Sequence, residues 1–147
     1  MSQENVELVK RGYAVLNDAY RTGDLLALGQ FTEQTFDPNV VFKPSGLLPE
    51  SAEVVGHDGA MQFVAAQMEA FETMLLEPRK FTDVGTRLVV PVRLGGLARH
   101  TGIEVAFEAV HVWTFHDEKV LRLDMYMSEA EALEAVGLSE QDARADS

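Results

Sequence analysis

From Arg87 to Met127 the sequence changes period: apolar and polar residues alternate, with interruptions at Gly95-Gly96, Thr101-Gly102 and His116-Asp117-Glu118. Successive side chains of a strand face opposite ways, so a sustained period of two broken by turn residues describes an antiparallel meander and excludes an all-helical fold. The odd positions from Ile103 to Phe115 are Ile103, Val105, Phe107, Ala109, His111, Trp113 and Phe115, one apolar face with a single histidine set into it. From Lys119 to Met127 the odd face carries Leu121, Leu123, Met125 and Met127, and the even face carries Arg122, Asp124 and Tyr126. Between Arg87 and Gly95 the more apolar face is Leu88, Val90, Val92 and Leu94, against Val89, Pro91 and Arg93 on the other. Pro91 removes a ladder donor, which predicts an edge or a bulge there and leaves open a shift of parity for the residues beyond it.

Ahead of the meander the period is helical. Val6, Val9, Tyr13, Leu16 and Tyr20 form one stripe of a helix expected to start near Ser2 and end by Thr22-Gly23. Asp24 is expected to cap a shorter helix from Leu25 to Phe31. A turn at Asp37-Pro38-Asn39 leads into a short strand, Val40-Val41-Phe42, and Lys43 to Gly56 reads as a long loop of the kind that forms lids. Ala60, Phe63, Val64, Gln67, Phe71 and Met74 give a third helical stripe that stops before Pro78, with a strand expected from Arg79 to Val84. Ser128 and Glu131 fit a capping box for a last helix through Val136, closed by Gly137. Helices first and strands later predict an α+β layer fold. At 147 residues the chain has room for one core, expected over residues 1–138, with 139–147 a polar tail. Strands apolar on both faces call for helices on one side and a partner on the other. Val90, Val92, Val110 and Val112 therefore predict a homodimer through the outer sheet face.

A formal charge of -12 repels phosphate backbones and anionic bilayers, so nucleic acid and membrane surfaces are not expected partners. With zero cysteines there is no thiolate chemistry, and neither a leader nor a long apolar run is seen in the sequence; a soluble, cytoplasmic protein is expected. His57, His100, His111 and His116 make no i, i+4 pair, and phosphate-loop and serine-elbow patterns are missing, so no metal or cofactor is expected. His111 has two readings at this point: a satisfied core histidine, the plainer one, or a pocket ligand or base. Asp124 reads as a surface carboxylate paired with Arg122, or, less simply, as a catalytic acid.

Four stretches, SQENVELVKRGYAVLN at 2–17, FDPNVVFKP at 36–44, GIEVAFEAVHVWTF at 102–115 and KVLRLDMYMSEAEALEAVGL at 119–138, together resemble the SnoaL-like group of the nuclear transport factor 2-like superfamily. The resemblance spans nearly the whole chain. It implies a curved antiparallel sheet wrapped around the N-terminal helices into a cone with a pocket, commonly dimeric through the outer sheet face. Residue by residue it places Tyr13 at the oxyanion-donor tyrosine of ketosteroid isomerases, His111 at their protonated aspartate and Lys43 at their base. It places Arg93 at the arginine of limonene epoxide hydrolases, whose flanking carboxylate positions fall on Gly95 and Met125. The acid-base aspartate of SnoaL-type cyclases also falls on Met125, so none of the three machineries is complete. What the resemblance leaves is a cone lined by Phe63, Phe107, Trp113, Met125 and Met127, with Tyr13, Lys43, Arg93 and His111 as polar members. Such donors would suit a carbonyl-bearing or anionic organic ligand. The expected function is small-molecule binding, with isomerase, cyclase or hydrolase chemistry using His111 as acid or base and Tyr13 or Arg93 at an oxyanion; the alternative is a non-catalytic binding or dimerisation module.

Overall fold

A computed structural model describes residues 3–44 and 53–137 of the chain. Helices α1 (Gln3–Thr22) and α2 (Leu26–Thr35) lead into strand β1 (Phe36–Lys43), followed by the short β2 (Val54–Val55) and helix α3 (Gly56–Ala70). Strands β3 (Phe71–Pro78), β4 (Thr82–Val84), β5 (Arg87–Ala98), β6 (Glu104–His116) and β7 (Lys119–Tyr126) precede a last helix, α4 (Glu129–Ala135). The sheet runs β2-β1-β7-β6-β5-β3, with β4 also on β5; β1 and β7 are parallel and the other pairs antiparallel. This is the α+β architecture the alternation predicts. Among the described residues no helix is long and apolar enough to cross a membrane.

The helices lie against the inner sheet face, where Val9 and Tyr13 of α1, Val40 and Phe42 of β1, and Val90, Val92 and Trp113 of the meander share one core. Asn17 ties α1 to the free edge of β3. Its amide donates to the Leu76 carbonyl at 2.8 Å and its side-chain oxygen accepts from the Leu76 N–H at 2.9 Å, so a helix residue satisfies backbone groups that an edge strand leaves open.

Several local expectations change. Ser2, residues 45–52 of the expected loop and the tail at 139–147 lie outside the described residues. Asp24 does accept from the Leu26 N–H at 2.9 Å, but α2 continues to Thr35, beyond the expected end at Phe31. The third helix stops at Ala70, and Phe71 and Met74 belong to β3, paired with β5. No breaker marks that boundary; long-range ladder pairing decides it, and Phe71 turns extended with its N–H still bonded to the Gln67 carbonyl. Gly95 and Gly96 lie inside β5 and are not a turn. A Cβ on Gly96 would stand 2.6 Å from the Thr73 carbonyl oxygen, so glycine there lets the irregular start of β3 approach β5 closely.

Pro91 interrupts neither register nor parity: β5 and β6 pair without a shift from Arg87↔Thr114 to Leu97↔Glu104. Its carbonyl accepts from the Arg79 N–H at 2.8 Å, so its nitrogen side faces the gap between the last residue of β3 and the first of β4, where no ladder donor is needed. The parity of β5 is therefore the simple one, with Val90 and Val92 inside. Val110 and Val112 do face outward, but with Val89 they are packed beneath Ala132 and Leu133 of α4. The four valines invoked for dimerisation thus divide between the inner core and a site already covered by α4. That helix starts as the capping box predicts, with the Ser128 hydroxyl accepting from the Glu131 N–H at 3.0 Å.

Candidate functional site: an apolar cone with a histidine at its end

The inner sheet face and the three long helices do not close completely. They leave a cavity of about 490 Å³, lined by Tyr13, Phe63, Phe107, His111, Trp113, Met125 and the rim residue Met127 among others. Seven of the nine residues expected at the pocket are thus brought together. The periodicity explains why: Phe107, His111 and Trp113 occupy inward positions of β6, and Tyr13 lies on the stripe of α1 that faces them.

The two expected cations are elsewhere. Arg93 is exposed on the outer face, between Glu77 of β3 and Glu108 of β6 in the ladder, because the unshifted parity through Pro91 turns every odd residue of β5 outward. Lys43 ends β1 one residue after the buried Phe42, and so points away from the core. Asp124 also faces outward, where it accepts from the Arg122 Nε at 2.9 and 3.1 Å while Arg122 Nη2 reaches Glu53 at 2.9 Å. This is the surface pairing the sequence suggests for Asp124. Among the described residues lining the cavity there is no Asp, Glu, Lys or Arg. Nor do three or more His, Asp or Glu side chains converge anywhere among the described residues in a way that could hold a metal ion.

The polar end of the cavity is a chain of three rings. The Trp113 indole N–H donates to the Tyr13 hydroxyl at 3.1 Å, and that hydroxyl lies 2.7 Å from His111 Nδ1. The Tyr13 and Trp113 rings meet edge to face with centroids 5.7 Å apart, whereas the Tyr13 and His111 rings are nearly parallel, inclined by 12°. All three are buried, His111 to 5% exposure. The indole can only donate, so it occupies a lone pair of the phenol oxygen and leaves the phenol proton to bond Nδ1. The opposite assignment would leave both the phenol proton and the Nε2 lone pair unpaired, whereas this one leaves only the Nε2–H, so it satisfies one more polar group. The imidazole proton therefore sits on Nε2, for which no described residue supplies a partner. Burial lowers the His111 pKa from 6.5 to about 4, and burial also pushes the Tyr13 phenol far up, offset in part by the Trp113 hydrogen bond. Both groups are neutral at pH 7. At this end of the apolar chamber the His111 Nε2–H is thus a neutral donor facing the cavity.

The histidine is consequently both things the sequence left open: its Nδ1 is satisfied within the core, and its ring lines the cavity. Four other polar residues stand on the wall, Tyr20 of α1, Thr32 of α2, Gln67 of α3 and Tyr126 of β7; Thr32 is bonded to the Leu28 carbonyl, and neither Tyr20 nor Gln67 was expected at the site. A signal existed for each, since both occupy positions of stripes that are otherwise almost wholly apolar.

A family model for the SnoaL-like domain matches residues 13–123. The chain belongs to the SnoaL-like family. Solved structures carry the same fold at low identity. A candidate SnoaL-like polyketide cyclase from Jannaschia sp. CCS1 is 22% identical, with 91% of this chain and 92% of that one covered and a TM-score of 0.70. TerC, co-crystallised with polyporic acid, is 24% identical over 90% and 98% of the two chains, with a TM-score of 0.68. A protein of ketosteroid isomerase-like fold from Catenulispora acidiphila DSM 44928, in complex with trimethylamine, is 14% identical over 90% and 93%, with a TM-score of 0.68. No curated protein matches the sequence. This SnoaL-like chain therefore shares its framework with proteins of differing ligands, and its own chemistry has to be argued from its own cavity.

Proposed function

We propose that this SnoaL-like protein binds a neutral, largely apolar small molecule through a carbonyl-type acceptor that takes the hydrogen bond of His111 Nε2–H. The observation that carries this reading is the combination of a described cavity wall without a charged side chain and a histidine kept neutral by burial. A carboxylate or phenolate would have to be desolvated with no cation beside it, which costs several kcal/mol. A ketone or ester oxygen loses much less and gains the donor. The anionic ligand that Lys43 and Arg93 would have held is accordingly set aside.

The same features favour binding over turnover. A base near pKa 4 is weak at neutral pH, and the Tyr13 phenol behind it holds its proton firmly, so the chain Trp113–Tyr13–His111 orients a donor without moving a proton. Isomerase or cyclase chemistry would need a base to accept a proton from the ligand, and the described lining supplies no carboxylate for it. The test is a matched series of 4-ethylbiphenyl, 4-acetylbiphenyl and biphenyl-4-carboxylate, titrated against the fluorescence of Trp113, the single tryptophan of the chain. The ketone should bind best and the carboxylate worst at pH 7, and His111→Ala should remove the preference for the ketone over the hydrocarbon. Tighter binding of the carboxylate would refute the reading.

A further inference from the structure

Tyr20 and Gln67 are polar side chains set into an apolar wall, and neither has a hydrogen-bond partner among the described residues. Tyr20 follows Tyr13 by seven residues on α1, two helical turns along the same face, which puts the two tyrosines about 10 Å apart along the cavity. Tyr20 packs against the small cluster of Ala19, Leu28 and Val64, and Val64 lies three residues before Gln67 on α3. The Tyr20 ring is partly buried, and its environment is apolar enough to hold the phenol protonated well above its ordinary range. Both side chains are half-buried, so the phenol and the primary amide lose part of their water without gaining a partner among the described residues, a loss that a ligand with a matching polar group would repair.

We infer that Tyr20 and Gln67 form a second polar subsite, so that the ligand is an elongated apolar molecule carrying a hydroxyl or carbonyl at each end, one at His111 and the other between these two side chains. The inference rests on the reading that the cavity takes a neutral ligand whose carbonyl meets His111. Both side chains can donate and accept, which suits a hydroxyl group better than either a pure donor or a pure acceptor would. A one-ended ligand would fill the same apolar volume and leave both groups unpaired.

The test compares 4-acetylbiphenyl with 4-acetyl-4′-hydroxybiphenyl on the full chain, in the wild type, Tyr20→Phe, Gln67→Leu and His111→Ala. The hydroxylated compound should bind about tenfold tighter to the wild type, the gain of one or two hydrogen bonds at a half-buried site. That ratio should fall toward one in Tyr20→Phe and in Gln67→Leu. Should one of these variants fail to fold by circular dichroism, the other carries the comparison. A ratio near one in the wild type overturns the second subsite, as does a ratio that both variants leave intact. If 4-acetylbiphenyl binds in a His111-dependent way while the hydroxyl adds nothing, the second subsite alone is refuted. If neither compound binds, the ligand reading of the cavity fails and this inference falls with it.

Discussion

Replacing His111 with asparagine should remove a specific part of the acid sensitivity of the fold. Asparagine keeps an acceptor near the position of Nδ1, so the Tyr13 hydroxyl retains a partner, but the titrating group is gone. In the unfolded chain the histidine takes up a proton as the pH falls through 6.5, whereas in the fold it stays neutral until about 4. Within that window the unfolded state binds more protons, so the contribution of His111 is fully present above pH 6.5 and is lost as the pH drops toward 4. A shift from 6.5 to about 4, at about 1.4 kcal/mol per unit, amounts to about 3 kcal/mol. The side chain is 5% exposed, so little of this is screened by solvent. Urea denaturation at half-unit steps from pH 7.5 to 4 measures it directly. Carboxylates titrate in both proteins and cancel in the difference between the two curves. The wild type should lose about 3 kcal/mol more than His111→Asn across the window, and both curves should run parallel above pH 7. Curves that stay parallel down to pH 4 would refute the claim that His111 is buried neutral.

Tyr13→Phe deletes the hydroxyl shared by Trp113 Nε1 and His111 Nδ1, orphaning two buried groups, and should cost about 2–4 kcal/mol in chemical denaturation while weakening the ketone probe. A loss below 1 kcal/mol would mean that water replaces the hydroxyl. The β6–β7 hairpin turns on Asp117 and Glu118 at φ 51° and 66°, both in the left-handed region with no glycine present. Glu118→Gly should therefore raise stability by about 1 kcal/mol, read as an increase in Tm of several degrees.

The architecture was legible where one signal acted alone. The alternation of β6 put Phe107, His111 and Trp113 on one face, and the stripe of α1 put Tyr13 opposite them; both periods survive because each element buries a single face. Legibility failed where a residue's direction depended on pairing partners far away in the chain. Phe71 and Met74 continue a helical stripe perfectly well, and only the ladder to β5 makes them a strand. Leu121 and Val120 show the same effect, since a bulge opposite Thr114 and Phe115 turns Val120 into the core. Arg93 is the instructive case: the apolar count of its own strand turned it outward, the family alignment turned it inward, and the strand was right. Pro91, the reason to doubt the parity, sits where its missing donor meets only the gap between two short strands. The cavity itself carries no signature in the periodicity, because it is space left between side chains that would look the same if they met; only the family resemblance implied it. Tyr20 and Gln67 stood out only as polar interruptions, and polar interruptions of an apolar stripe are equally common at its edges.

Nitrogen-15 NMR of the His111 imidazole, with and without 4-acetylbiphenyl, addresses the central claim most directly. At pH 7 the ring should be neutral, with Nδ1 unprotonated against the Tyr13 hydroxyl and the proton on Nε2; the ketone should then perturb Nε2 more than Nδ1. An imidazolium at pH 7, a proton on Nδ1, or a spectrum indifferent to the ketone would contradict a neutral donor aimed at a ligand carbonyl.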